Sequence, residues 1–170
     1  MPQAEQRQGV ENAAGFHWAG HAVALLANGL GFHRMVIGPG CGLRQDDGRL
    51  PQGPVRNVVL AAGAAAEVLA ARGSILPDAA VAGQVVRQLS GRHGCQSGQA
   101  PVPGLDEVAT ALAIVSTGWQ DVAGLASAQA GSITPLAYSD VLALMENRHG
   151  TDIGRSYDLW RNACAGPFPH

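Results

Sequence analysis

Lysine is absent from this chain, whose positive charge is carried by 11 Arg residues against 13 Asp and Glu. The Arg residues are scattered, and the net charge is -2. A nucleic-acid binder needs a clustered basic face, so that class is excluded. Cysteine is scarce: Cys41, Cys95 and Cys164 lie far apart, with no Cys-x-x-Cys pair. A thiolate zinc cluster is therefore excluded. The odd count, with no apolar segment near the N-terminus, predicts a reducing, cytoplasmic setting. Aromatics make up 5% and charged residues 14% of the chain. Long apolar runs are missing too. The stretch 58–66 is short of what a bilayer requires, so no membrane span is expected.

What fills the chain instead is Ala and Gly, within a hydrophobic fraction of 46% over 170 residues. That length suits one domain with a real core. Residues 1–10 are polar and read as a flexible arm, leaving 11–170 as a single domain. Taken alone, the abundance of Ala, Gly, Arg and Val reads as codon bias. Low charge and many small residues are also compatible with a homodimer.

Periodicity and punctuation predict a mainly α fold. One helix spans 12–27, stopped by Asn28-Gly29. A strand at 32–37 runs into Gly38-Pro39-Gly40, and 41–44 is its candidate partner in a small β-hairpin. Residues 45–54 read as a loop. A helix over 54–72 has Pro near its first turn and Gly73 past its end, and its small residues Ala61, Ala62, Gly63, Ala64, Ala65 and Ala66 allow close packing against another helix. Further helices are expected at about 77–89, 105–116, 119–129 and 134–147, with a loop at 90–103. The tail carries Tyr157, Leu159 and Trp160, enough apolar area to dock.

The residues with chemistry sit in the first helix, in the run His17-Trp18-Ala19-Gly20-His21. Two His four residues apart share a helix face and can grip one metal ion. Zinc proteases use this spacing with a Glu after the first His, as the base that activates zinc-bound water. Here that position is Trp18, whose indole N–H only donates. The pattern thus points to a metal site and away from ordinary peptide hydrolysis. Asp78, opening a helix, is a candidate third ligand, against its plainer role as a helix N-terminal acid. Glu67 is a candidate partner that orients a ligating His. Glu11, Asp46 and Asp47 are weaker acid/base candidates, and His33 follows the zinc helix closely.

These segments resemble the peptidase domain of the FtsH-type ATP-dependent zinc proteases. In that family a HEAGHA helix is followed by a strand ending before a Pro, then a Gly-Gly-Arg-x-Ala-Glu-Glu helix, then an Asp that opens a D-x-x-x-A-x-x-x-x-R helix. The similar segments here are His17–Leu26, Met35–Pro39, Ala62–Val68 with Gly73, and Asp78 with Ala82 and Arg87. The resemblance covers roughly Asn12 to Leu89. It implies a zincin-like helical metallopeptidase domain in which Zn²⁺ is held by His17, His21 and Asp78. Three departures stand against the pattern. Trp18 replaces the base, no Gly-x-x-x-x-Gly-Lys loop occurs, and the stretch before Asp78 is short. The expectation is a stand-alone, non-proteolytic zinc enzyme acting on a small molecule, with Trp18 lining its pocket. The alternatives are an inactive pseudoprotease serving as a binding or regulatory module, and a metallopeptidase with a relocated base.

Overall fold

In the computed structural model the described residues are 2–31, 34–36, 42–44, 53–91, 102–130 and 136–150, with side chains described from residue 13 onward except in the two strands. They form six helices and two short strands: α1 (Pro2–Ala27), β1 (Arg34–Val36), β2 (Gly42–Arg44), α2 (Gly53–Arg72), α3 (Ala79–Gly91), α4 (Leu105–Thr117), α5 (Trp119–Ala130) and α6 (Tyr138–His149). The chain is mainly helical. β1 and β2 pair antiparallel, with Arg34 opposite Arg44 and Val36 opposite Gly42.

α1 begins at Pro2, so the segment expected to be a flexible arm is helical. The physical reason is local. Pro is suited to a first helical position, and Ala4, Glu5, Gln6, Arg7 and Gln8 are strong helix formers. The helix ends in a Schellman turn. Gly29 takes φ +68, its N–H donates to the Leu26 carbonyl, and the Leu30 N–H donates to the Leu25 carbonyl. Only a residue without a Cβ adopts that left-handed turn freely.

α2 is the centre of the bundle. Every residue from Val58 to Leu69 is buried, and the helix packs against α1, α3 and α4. A helix apolar all round must be covered on all sides, and here three helices cover it. By length and composition α2 would pass for a bilayer span, contrary to the expectation from short apolar runs. Its apolar surface is instead taken up by its neighbours.

The small residues of α2 pack closely against another helix, as expected. α1 crosses α2 at Gly20, where an added Cβ would strike the Ala62 carbonyl oxygen and come within 2.8 Å of the Ala66 Cβ. The two backbones meet with almost nothing between them. On its other side α1 packs against α5, where the Phe16 and Trp119 rings stack with centroids 5.5 Å apart.

α3 buries the stripe Val81, Val85 and Leu89, spaced four residues apart so that they share one face. The start of α4 is fixed by Glu107, which accepts from the Gly104 N–H at 2.7 Å and from Asn57 Nδ2 of α2 at 3.2 Å. Those donors, Asn57 first, hold its carboxyl below the ordinary value. α6 is clasped to α5 through Asp121, a buried carboxylate. His149 Nε2 lies 2.9 Å from both Asp121 oxygens, and Arg148 Nη1 lies 3.3 Å from one of them. Arg148 also donates to the Gln120 carbonyl and lies where a Cβ on Gly124 would be.

Candidate functional site

His17 and His21 occupy the face of α1 turned toward α2. Spacing of four residues brings their rings edge to face, with centroids 4.5 Å apart and planes at 89°. Their Nε2 atoms converge at 2.9 Å. The other nitrogen of each ring is taken by α2. His21 Nδ1 donates to the Val59 carbonyl at 2.6 Å, and His17 Nδ1 stands 3.1 Å from Glu67 Oε1. The far oxygen of Glu67 accepts from Gln88 Nε2 of α3. A continuous polar chain therefore runs Gln88–Glu67–His17–His21–Val59 through the junction of α3, α2 and α1.

The tautomer of His21 follows from what its partner can do. The Val59 carbonyl only accepts, so Nδ1 is the protonated nitrogen of His21. The His21 Nε2 lone pair then faces His17 Nε2 across 2.9 Å. It is met there by a positive centre, the proton of His17 Nε2 or a metal ion. A proton on His21 Nε2 itself is strongly disfavoured. Burial first, and then the neighbouring His17, push His21 down to about 3 from 6.5, against the opposing pull of the Val59 carbonyl.

Room for the two rings comes from Gly63. A Cβ there would lie 2.6 Å from both Cε1 and Nε2 of His21 and 3.0 Å from Cε1 of His17. No side chain fits at that position. The cluster is nearly closed to solvent, with His21 at 3% and Glu67 at 8% exposure.

Asp78 is not brought to the histidines. Its side chain is 57% exposed and caps α3, accepting from the Val81 N–H at 2.7 Å and pairing with Arg72 Nη1 at 3.3 Å. The Val81 N–H, followed by Arg72, holds its carboxyl below the ordinary value. The cause of this placement is the connection before it. α2 stops at Gly73 with φ +62, residues 74–78 lie exposed, and an acid at a helix start is taken up by the first-turn N–H groups. Among the described residues, no three His, Cys, Asp or Glu side chains form a metal-holding group.

Trp18 is 2% exposed and part of the apolar core, and its indole N–H is buried without a hydrogen-bond partner. Asp46, Asp47, His33, Cys41, Cys95 and Cys164, together with Tyr157, Leu159 and Trp160, lie outside the described residues. So does the side chain of Glu11.

Three participants were not anticipated from sequence: Gly63, the Val59 carbonyl and Gln88. Gly63 carried a signal. A lone Gly in an Ala-rich helix is unfavourable by about 1 kcal/mol, which hints at a close approach. A backbone carbonyl has no sequence signature. Gln88 lies 21 residues from Glu67, beyond any local pattern. Comparison with protein-family models, curated proteins and solved structures returns no significant match. Function is therefore argued from this cluster.

Proposed function

We propose that the chain is a zinc-binding protein on a zincin-like helical scaffold with a small hairpin, and that His17 Nε2 and His21 Nε2 are its protein ligands. One observation carries the reading: the two Nε2 atoms converge at 2.9 Å while the Val59 carbonyl holds His21 Nδ1 and the Glu67 carboxylate stands 3.1 Å from His17 Nδ1. Ligating histidines have this arrangement, the second nitrogen fixed by a carboxylate or carbonyl. The donor set suits zinc, which takes imidazole nitrogen at about 2.0–2.1 Å. The absent side chain at Gly63 leaves the rings clear of α2. Glu67 serves as the orienting carboxylate for His17. Asp78, spent on capping α3, is left out of the ligand set, and the remaining positions fall to water or substrate.

Bound there, zinc would supply Lewis acidity toward a carbonyl or hydroxyl of a small molecule. The chain's own residues orient the two rings, hold a proton on His21 Nδ1 and exclude bulk water. Ordinary proteolysis is not proposed. Trp18 offers no base, and Glu67 is committed to His17 and Gln88. Losing a general base lowers rates about 10²–10⁴-fold.

A second reading has its own support in the burial of the cluster. Such closure favours zinc that stabilises the fold of an inactive module engaged in binding or regulation. The two readings share the metal and separate on turnover of small-molecule substrates.

The test is the zinc content of protein purified without added metal, beside that of His21→Ala. About one zinc per chain, lost in the variant, is expected. No metal in either protein after zinc is offered overturns the proposal.

A further inference from the structure

Glu67 does not by itself aim an oxygen at His17. The terminal torsion of a Glu side chain is broad and roughly two-fold, so the carboxylate plane needs an outside hold. Gln88 gives that hold, donating its amide to Oε2 while Oε1 faces His17 Nδ1. Gln88 is itself well placed. It adjoins Leu89 on the edge of the buried stripe of α3, and Asp78 and Arg72 fix the start of that helix.

We infer that Gln88 is a positioning residue for the two-histidine site: by locking the Glu67 carboxylate it sets the orientation of His17 and makes α3 a determinant of zinc affinity. The affinity part rests on the zinc proposal above; the orientation part concerns the metal-free protein as well. The charge on Glu67 alone would attract a proton on His17 from many angles. The amide of Gln88 selects one. A carboxylate oxygen buried without that donor would turn to find another partner, because an unsatisfied buried acceptor is unfavourable.

The experiment uses the full chain and Gln88→Met, which keeps the length of the side chain and removes the donor. A second variant exchanges the pair, Glu67→Gln with Gln88→Glu. It retains an amide against a carboxylate in the opposite sense and still offers His17 an amide oxygen. Zinc affinity is measured by competition with a chromophoric chelator. The ring nitrogens of His17 are followed by ¹⁵N NMR with and without zinc.

Gln88→Met is expected to weaken zinc binding about tenfold, the low end for partners of a ligating His. It should move the His17 nitrogen signals and lower the urea midpoint of the metal-free protein, because a buried Glu67 oxygen loses its donor. The exchange variant should recover most of the affinity. Unchanged affinity and unmoved His17 signals in Gln88→Met overturn the inference and leave the zinc proposal standing. Equal weakening in both variants with unmoved His17 signals also overturns it, as general damage. If the parent binds no zinc, the zinc proposal falls and the metal-free spectra decide: His17 signals indifferent to Gln88→Met overturn the inference, and signals that move support it.

Discussion

Replacing Gly63 by Ala should destabilise the protein, although Ala is the better helix former. The added Cβ would sit 2.6 Å from two atoms of the His21 ring and 3.0 Å from one of His17. Carbon contacts settle near 3.5–4.0 Å, so the rings must retreat by roughly 1 Å. His21 cannot retreat that far and keep Val59, because its 2.6 Å bond would stretch to about 3.6 Å, where no hydrogen bond remains. Overpacking strain of about 1–3 kcal/mol joins one or two lost hydrogen bonds at about 1 kcal/mol each. Against these stands about 0.5–1 kcal/mol for removing a helical Gly. The net loss is about 1–4.5 kcal/mol, or roughly 2–18 °C in melting temperature for a chain of this size. Urea unfolding and thermal melts of Gly63→Ala, with chelator present, read it directly. Gly83→Ala is the matched control. Its Cβ would meet only Arg87 Nη1 at 3.5 Å, so a gain of about 0.5–1 kcal/mol is expected. A Gly63→Ala protein as stable as the parent refutes the close approach of the rings to α2.

Three other outcomes are expected. His21 resists protonation in the native state down to about 3 but accepts a proton near 6.5 when unfolded. Chelated protein should therefore lose stability as pH falls from about 6.5 toward 3, by up to about 1.4 kcal/mol per unit. Urea midpoints should show this slope in the parent and not in His21→Gln, and equal slopes would refute it. The lowered carboxyls of Asp78 and Glu107 add losses of the same sign at lower pH. Asp78→Ala should loosen the first turn of α3, seen as faster amide exchange at Val81, while zinc content stays at the parent level; loss of zinc would make Asp78 a ligand after all. Trp18→Glu would put a carboxylate in the core in place of a residue 2% exposed. Removing a core aromatic alone takes about 3–5 kcal/mol, so failure to fold is expected, and a stable variant with peptidase activity would overturn the placement of Trp18.

The helical bundle was legible because apolar spacing and Gly/Pro stops are local signals. Asn28-Gly29 and Gly73 mark the ends of α1 and α2 for the same steric reason that they do so in sequence. The pairing of His17 with His21 follows from a spacing of four on a helix. The start of α1 was misjudged because polar residues without an apolar stripe read as an arm, although their helix propensity is high. The small residues of α2 announced a close helix approach, but composition does not say which helix makes it. Asp78 shows the limit of motif spacing. The residue stands where the pattern asks, but the exposed connection after Gly73 leaves it capping α3. His149 carries no local sequence signal, because its partner, Asp121, lies 28 residues away.

The Asp121 clasp bears on where this chain can be shortened. A cut placed by helix content alone would fall anywhere after α5. Removing Arg148 and His149 would deprive a carboxylate inside α5 of the guanidinium and imidazole that meet it, and would strip the guanidinium from the surface of Gly124. Any C-terminal truncation must therefore retain the chain through His149. A fusion partner or affinity tag belongs beyond that residue, where it leaves the electrostatics of α5 intact.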